Sequence, residues 1–211
     1  MASFEYPVFE FDAYESICDQ EWADELIAKA SALNISHLVS QFTNSWLSAS
    51  AIAKLPAALL APIDTKAKIW EETTLDLNVR KSIYNAQSCA LVLFFDAYER
   101  FMKSSVLSVA GLDLNTAVKQ FPDFKTAFAE TLGDAQLEKC WHNPWVQFFM
   151  SVRDCIIQFN SNACPLLDDT EHDIMIHDGI LKIQHNDNML LVTNLYPIVD
   201  QFVDAQRAVA G

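Results

Sequence analysis

The stretch VRDCIIQFNSNA, residues 152–163, gathers the side chains best equipped for chemistry in this 211-residue chain. Arg153 offers a guanidinium that forks onto a phosphate or a carboxylate. A polar cluster follows it: Asp154, Gln158, Asn160, Ser161 and Asn162. On a helix, Arg153 and Asn160 are seven residues apart and fall within ~20° of one face, while Asp154 and Gln158 share the neighbouring face at four-residue spacing. Such a corner can hold an anion. An arginine at a helix C-terminus is also stabilised by the carbonyl end of the helix dipole, with no function attached. Both readings are open at this point.

The element that must position Arg153 starts at His142-Asn143-Pro144-Trp145. Asn143 suits an N-cap and Pro144 the first helical position. From there Trp145, Phe148, Phe149, Val152, Ile156 and Phe159 form an apolar stripe, which predicts a helix buried along that face. The strongest helical signal lies upstream, over about Leu77 to Ala110. SCALVLFFDAYERFMKS is apolar nearly all round at its start, as a centrally buried helix is. Its later turns set Asp96–Arg100 and Glu99–Lys103 at i,i+4 spacing, and Gly111 ends it. Two short helices follow around Pro122, with Asp123 as N-cap and Gly133 as stop. Asp134 can cap a further short helix through Trp141.

From Glu21 to about Ala61 the pattern is helical again, with Pro56 and Pro62 expected to break it into short pieces. After Pro165 the character changes. DIMIHDGILKIQ has two alternating runs joined by His-Asp-Gly, which predicts a β-hairpin, and MLLVT is a candidate third strand. NLYPIVDQFVDAQRAV returns to helical spacing, with Pro197 expected in the first turn. The expected fold is therefore mainly α: a helical bundle with a small antiparallel β-element at about 173–193, inserted before the C-terminal helix. Residues 1–76 are read as an N-terminal helical region and 77–211 as the bundle proper.

Composition excludes several chemistries. Four glycines, at 111, 133, 179 and 211, leave no cluster for a phosphate-cradling loop, a dinucleotide fold or a nucleophile elbow. No cofactor and no metal site are expected. Five cysteines are scattered without a CxxC pair, and Cys89 and Cys155 lie in apolar helical runs, so they read as small core residues in a reducing compartment. No apolar run is long enough to span a membrane. The start, MASFEYPVFEFDAYE, is acidic and unlike a signal peptide, so a cytoplasmic location is expected. The net charge is −14. It concentrates in residues 1–30 (eight acids against Lys29) and in 167–187 (six acids against Lys182), while 64–103 is balanced with six of each sign. That field repels nucleic-acid backbones. Nucleic-acid binding would need a local cationic site or a basic partner protein, and the simpler reading of the acidic charge is that it keeps an apolar protein soluble.

The order Arg153-Asp154-Cys155-Ile156-Ile157-Gln158-Phe159-Asn160-Ser161, followed by a β-element and a closing helix, resembles the motif of HEPN domains (higher eukaryotes and prokaryotes nucleotide-binding). Many of these read RN-C-I-V-H-N-N-G at this point. The arginine, Cys155, the aliphatic pair and Asn160 match. Asn has become Asp154, His has become Gln158 and Gly has become Ser161. LVLFFDAYERFMK is similar to the family's long upstream helix, which often brings an acid to the motif, making Asp96 and Glu99 the candidates. The resemblance covers about residues 80–208. It implies a homodimer with two motifs facing one cleft, metal-independent RNA cleavage, and an RNA-targeting or defence setting in prokaryotes. Arginine would hold phosphate and histidine would move the proton. Gln158 cannot take the second role, because an amide does not titrate near neutral pH, a loss typically costing ~10²–10⁴-fold. The resemblance therefore implies a non-catalytic or weakly active member that binds RNA or a nucleotide, with Arg153, Asp154 and Gln158 at the motif and Asn160, Asp96 and Glu99 lining the cleft. The alternative is an acidic helical protein–protein interaction module in which Arg153 only caps a helix. An active ribonuclease using another base is a third.

Other histidines offer little to replace Gln158. His142 lies two to three turns from Arg153, and His172, His177 and His185 fall around the β-element, where they read as loop residues. The five tryptophans (22, 46, 70, 141 and 145) read as packing residues.

Overall fold

A computed structural model of the chain describes residues 8–10, 20–60, 69–71, 77–158, 161, 167, 174–177 and 179–210. It is mainly α-helical. The helices are α1 (Gln20–Ala30), α2 (Ser36–Leu60), α3 (Leu77–Ala110), α4 (Leu114–Gln120), α5 (Phe124–Leu132), α6 (Asp134–Cys140), α7 (Pro144–Gln158) and α8 (His185–Ala210). The β content among the described residues is four three-residue strands. β1 (Val8–Glu10) pairs antiparallel with β2 (Ile69–Glu71), and β3 (Met175–His177) with β4 (Ile180–Lys182).

α3 is the axis of the bundle. Its 34 residues span about 50 Å at 1.5 Å per residue. It packs chiefly against α2 and also meets α5, α7 and α8. Burial on several sides explains why its middle, Ala90–Phe95, is apolar nearly all round: Leu91, Phe94, Phe95 and the following Tyr98 are fully buried. Leu26 of α1, Val39 and Trp46 of α2, Phe149 of α7 and Phe202 of α8 belong to the same apolar cluster. α1 is fixed to α8 by polar contacts at the edge of that core. Lys29 Nζ reaches Asp200 at 2.8 Å, Trp22 Nε1 donates to the same carboxylate at 3.1 Å, and the Trp22 ring stacks on Tyr196 with centroids 3.8 Å apart.

Several boundaries follow local chemistry. α3 ends at Gly111, whose φ of 65° is left-handed. Asp113 and Asp123 cap α4 and α5 by accepting from the backbone N–H groups of Thr116 and Thr126, at 2.9 and 2.8 Å. Asn143 Oδ1 accepts from Trp145 N at 2.9 Å at the head of α7. α6 begins at Asp134 itself and ends at Cys140, so Gly133, without a side chain, occupies the cap position expected for Asp134.

Other expectations are corrected. Pro56 does not break α2, which continues through it to Leu60. Beside the proline, the Ala53 carbonyl accepts a hydrogen bond from Gln87 Nε2 at 2.9 Å. The carbonyl that a proline leaves without its helical donor is the one four residues back, Ile52. This bond therefore anchors α2 to α3 next to the proline, and the packing of α2 on α3 carries the helix through it. A β-hairpin of the expected extent, 173–193, is not found: beyond the three-residue pair β3–β4, Met189–Thr193 is helical. α8 starts at His185, with the Asp187 carboxylate accepting from Gln184 N at 2.7 Å, and Pro197 therefore lies inside the helix. Alternation over a five-residue run cannot separate a strand from a buried helical turn, and here tertiary burial of Leu191, Val192 and Leu195 decided. The buried stripe of α7 is rotated from its expected face. Val146, Phe149, Val152 and Cys155 are buried, Phe148 and Ile156 are half-buried, and Trp145 is 39% exposed. Phe159 lies outside the described residues. Cys89 is exposed rather than in the core, and Cys155 is disulfide-bonded, which removes the ground for reading the cysteines as a reduced set.

One buried polar link joins three helices. Asn188 Nδ2 of α8 donates to the backbone oxygen and Oε1 of Gln87 in α3, at 3.1 and 2.7 Å, and Gln87 in turn reaches α2. Both side chains are at most 1% exposed. Replacing Asn188 with Ala removes the donor to Gln87 Oε1 in an apolar interior, where an unmet polar group costs about 1–3 kcal/mol. Urea unfolding of Asn188→Ala is expected to show a loss of about 2 kcal/mol, and a loss below about 0.5 kcal/mol would mean water satisfies the site instead.

Candidate functional site

Arg153 leaves α7 toward α3 rather than toward solvent. Its Nε donates to Asp154 Oδ1 at 3.0 Å, and Nη2 lies 2.9 Å from the same oxygen. Nη1 reaches Asp96 Oδ1 at 3.3 Å and makes a short contact with Glu99 Oε2. The guanidinium carbon sits 5.1 Å from the centroid of Phe95, a cation–π geometry. Glu99 bridges onward: its Oε1 accepts from Lys103 Nζ at 2.5 Å. Asp96, Glu99 and Lys103 present themselves together because i, i+3 and i+7 share a helix face.

The network is largely withdrawn from water. The Arg153 side chain is 14% exposed and that of Glu99 18%. Burial alone would push the Glu99 carboxyl up, but hydrogen bonds from Lys103 and Arg153 and their charges outweigh it and hold the group below its ordinary value. Burial would likewise lower the Arg153 guanidinium, and the hydrogen bond and charge of Glu99, with Asp154, hold it above its ordinary value. Each partner keeps the other ionised.

Four of the six site residues named from sequence therefore meet: Arg153, Asp154, Asp96 and Glu99. Gln158 does not join them. It is exposed at the last position of α7, and five residues from Arg153 places it ~140° around the helix. Asn160 lies outside the described residues. The expected i,i+4 pair Glu99–Lys103 forms, whereas Asp96 turns to Arg153 instead of Arg100. Sequence reasoning missed Phe95 as the face beneath the guanidinium. Its position, immediately before Asp96 in the apolar run, was the available signal.

The remaining chemistry-bearing groups stay apart. His142 Nδ1 pairs with Glu138 Oε1 at 2.8 Å, His185 is buried in α8, and His172 and the His177 side chain lie outside the described residues. Among the described residues no three His, Cys, Asp or Glu side chains converge on a metal-sized position. Cys140 is buried and its thiol is pushed up to about 12 by that burial, so it is no nucleophile at neutral pH. No described helix is long and apolar enough to cross a membrane. No protein-family model, curated protein or solved structure matches this chain.

Two measurements follow from the network. Arg153→Met keeps the stem but leaves three carboxylates facing one another, and breaking a buried pair from one side costs about 3–5 kcal/mol. Since Asp96 and Asp154 retain some solvent contact, a loss of about 3 kcal/mol by urea unfolding is expected, and less than 1 kcal/mol would show the network to be decorative. The second concerns pH. A carboxyl depressed on folding contributes stability that is complete above its unfolded value, 4.5 for Glu99, and is lost as pH falls through the lower folded value. The stability gap between the native chain and Glu99→Gln is therefore expected to be constant at neutral pH and to shrink below about pH 4. A gap that persists unchanged to pH 2 removes Glu99 from this role.

Proposed function

We propose that the chain is a non-catalytic helical interaction module, in which Arg153 is a structural cation. The observation that carries this is the enclosure of Arg153 by Asp96, Glu99 and Asp154. An RNA phosphate approaching that guanidinium meets three carboxylates whose charge exceeds that of Arg153 and Lys103 by one, a net repulsion of about 3 kcal/mol at about 5 Å with an effective dielectric near 20. The net charge of −14 adds a long-range term of the same sign. What this surface complements is a basic protein partner. Ile157, 57% exposed on α7, and Ile176 and Ile180 on the β3–β4 pair supply apolar groups of the kind that interfaces use.

A second reading, a silenced HEPN-like domain forming a homodimer and holding RNA or a nucleotide, is favoured by one observation. Ser161 has φ 63°, a left-handed conformation that costs a non-glycine residue and suits glycine. Glycine is what the resembled motif carries at that position. The Leu181 N–H donates to the Ser161 carbonyl at 2.7 Å, joining the motif's end to β4.

The two readings separate in an RNA-binding and RNA-cleavage assay with EDTA present, comparing the native chain, Arg153→Lys and Gln158→His. On the proposed reading, all three neither cut nor bind RNA at physiological salt. Cleavage gained by Gln158→His and lost on adding Arg153→Lys, with an unchanged melting curve, establishes the second reading instead.

A further inference from the structure

We propose that a small polar cleft between α2 and α3, built around Arg100, is a binding site for the phosphate group of a phosphate monoester or of free phosphate. This site is separate from the Arg153 network and does not depend on the function proposed above. Its origin is the choice made by Asp96. Helical spacing offers that carboxylate to Arg100, but it is drawn to Arg153 at 3.3 Å. Arg100 is exposed and is left with no carboxylate partner among the described residues. Water can satisfy an exposed guanidinium, so what singles out Arg100 is the polar cleft it lines. Arg207, by comparison, lies 3.9 Å from Asp204.

The space beside Arg100 is a cleft of about 80 Å³, the room of two to three water molecules at ~30 Å³ each. That is room for one oxyanion, and because the cleft is open the rest of an esterified ligand extends into solvent. Phe42 and Phe101 form part of its lining, and the polar side chains are Gln41 and Ser45 from α2 with Arg100 and Ser104 from α3. No carboxylate among the described residues lines it. The Ser45 hydroxyl already donates to the Gln41 carbonyl at 3.0 Å. The donors left for a ligand are therefore the Arg100 fork, the Gln41 amide and the Ser104 hydroxyl. They stand on two different helices, so they approach an anion from both walls of the cleft. A tetrahedral phosphate presents oxygens in several directions and can meet donors on both walls. A planar carboxylate presents two oxygens in one plane and satisfies chiefly the guanidinium fork.

Isothermal titration calorimetry of the full chain with inorganic phosphate, at constant ionic strength, tests the site. Native protein and Arg207→Gln (a cation removed elsewhere) are expected to bind one phosphate saturably, with Arg100→Gln weaker by about tenfold or more and Ser104→Ala weaker by a smaller factor. Because Arg100 is exposed, its variant is expected to melt as the native chain does, so lost binding is not lost fold. Equal binding by Arg100→Gln, or no saturable heat with native protein, overturns the site. O-phosphoserine distinguishes the sources: tighter binding than inorganic phosphate points to an ester, equal binding to the free anion. Acetate binding as tightly as phosphate overturns the assignment to a tetrahedral group.

Discussion

One guanidinium couples α7 to the axial helix. Arg153 lies where the surroundings are mostly protein, and a lone cation there would be costly. What makes the position tenable is that α3 brings Asp96 and Glu99 to one face and α7 brings Asp154, so the charge is met on every N–H edge that the structure describes as bonded. The reverse dependence holds as well. Three carboxylates this close repel one another, and the cation between them offsets that repulsion; with Lys103 at the outer edge it holds the Glu99 carboxyl below its ordinary value against burial. The network sets how α7 sits on α3, and hence where the C-terminal end of α7 and its exposed Gln158 and Ile157 emerge.

The apolar core and the polar links divide the labour differently. Trp46, Phe94, Phe95, Phe149 and Phe202, all fully buried, supply non-directional attraction that many helix arrangements could satisfy. Gln87 and Asn188 cannot slide: their bonds to each other and to the Ala53 carbonyl exist in one arrangement of α2, α3 and α8. Buried polar contacts of this kind select among packings that hydrophobic burial alone would leave close in energy.

How much of this is legible in the sequence depends on the range of the interaction that decides each feature. α3 could be bounded at Leu77 and Ala110 because its signals are local: an unbroken apolar period and a terminal glycine. The caps at Asp123 and Asn143 and the Glu99–Lys103 pair act within four residues, and they lie where the spacing puts them; the cap at Asp113 is equally local but was not read from the sequence. The features that went astray are decided over long distances. Met189–Thr193 has a strand-like composition, yet the buried face it offers is taken up by a helix running from His185. Pro56 is a local breaker overruled by packing against α3. The buried face of α7 turned away from Trp145 to Val146, Phe149, Val152 and Cys155, because packing on α3 and α8, and not the segment's own apolar stripe, sets which face is covered. At the site, Arg153 and Asp154 were named from residue type and spacing and Asp96 and Glu99 from the resemblance, but whether Arg153 looks outward to a ligand or inward to carboxylates is not a property of the α7 segment at all. It depends on which face of α3, about 55 residues earlier in sequence, lies opposite.

That inward turn redistributes charge across the whole upper half of α3. An i,i+4 pair at Asp96–Arg100 is worth only about 0.3–0.5 kcal/mol on an exposed face, whereas a carboxylate serving a half-buried guanidinium relieves a desolvation cost of several times that size. Asp96 is thus committed by the stronger demand, and Arg100 is the residue that goes without. α3 borders both outcomes: through Asp96 it meets the Arg153 of α7, a cation enclosed by carboxylates, and four residues on it carries its own Arg100, which lines the cleft against α2 with no carboxylate partner among the described residues. A net charge of −14 describes neither side, because local pairing and not the total decides where an anion can be received.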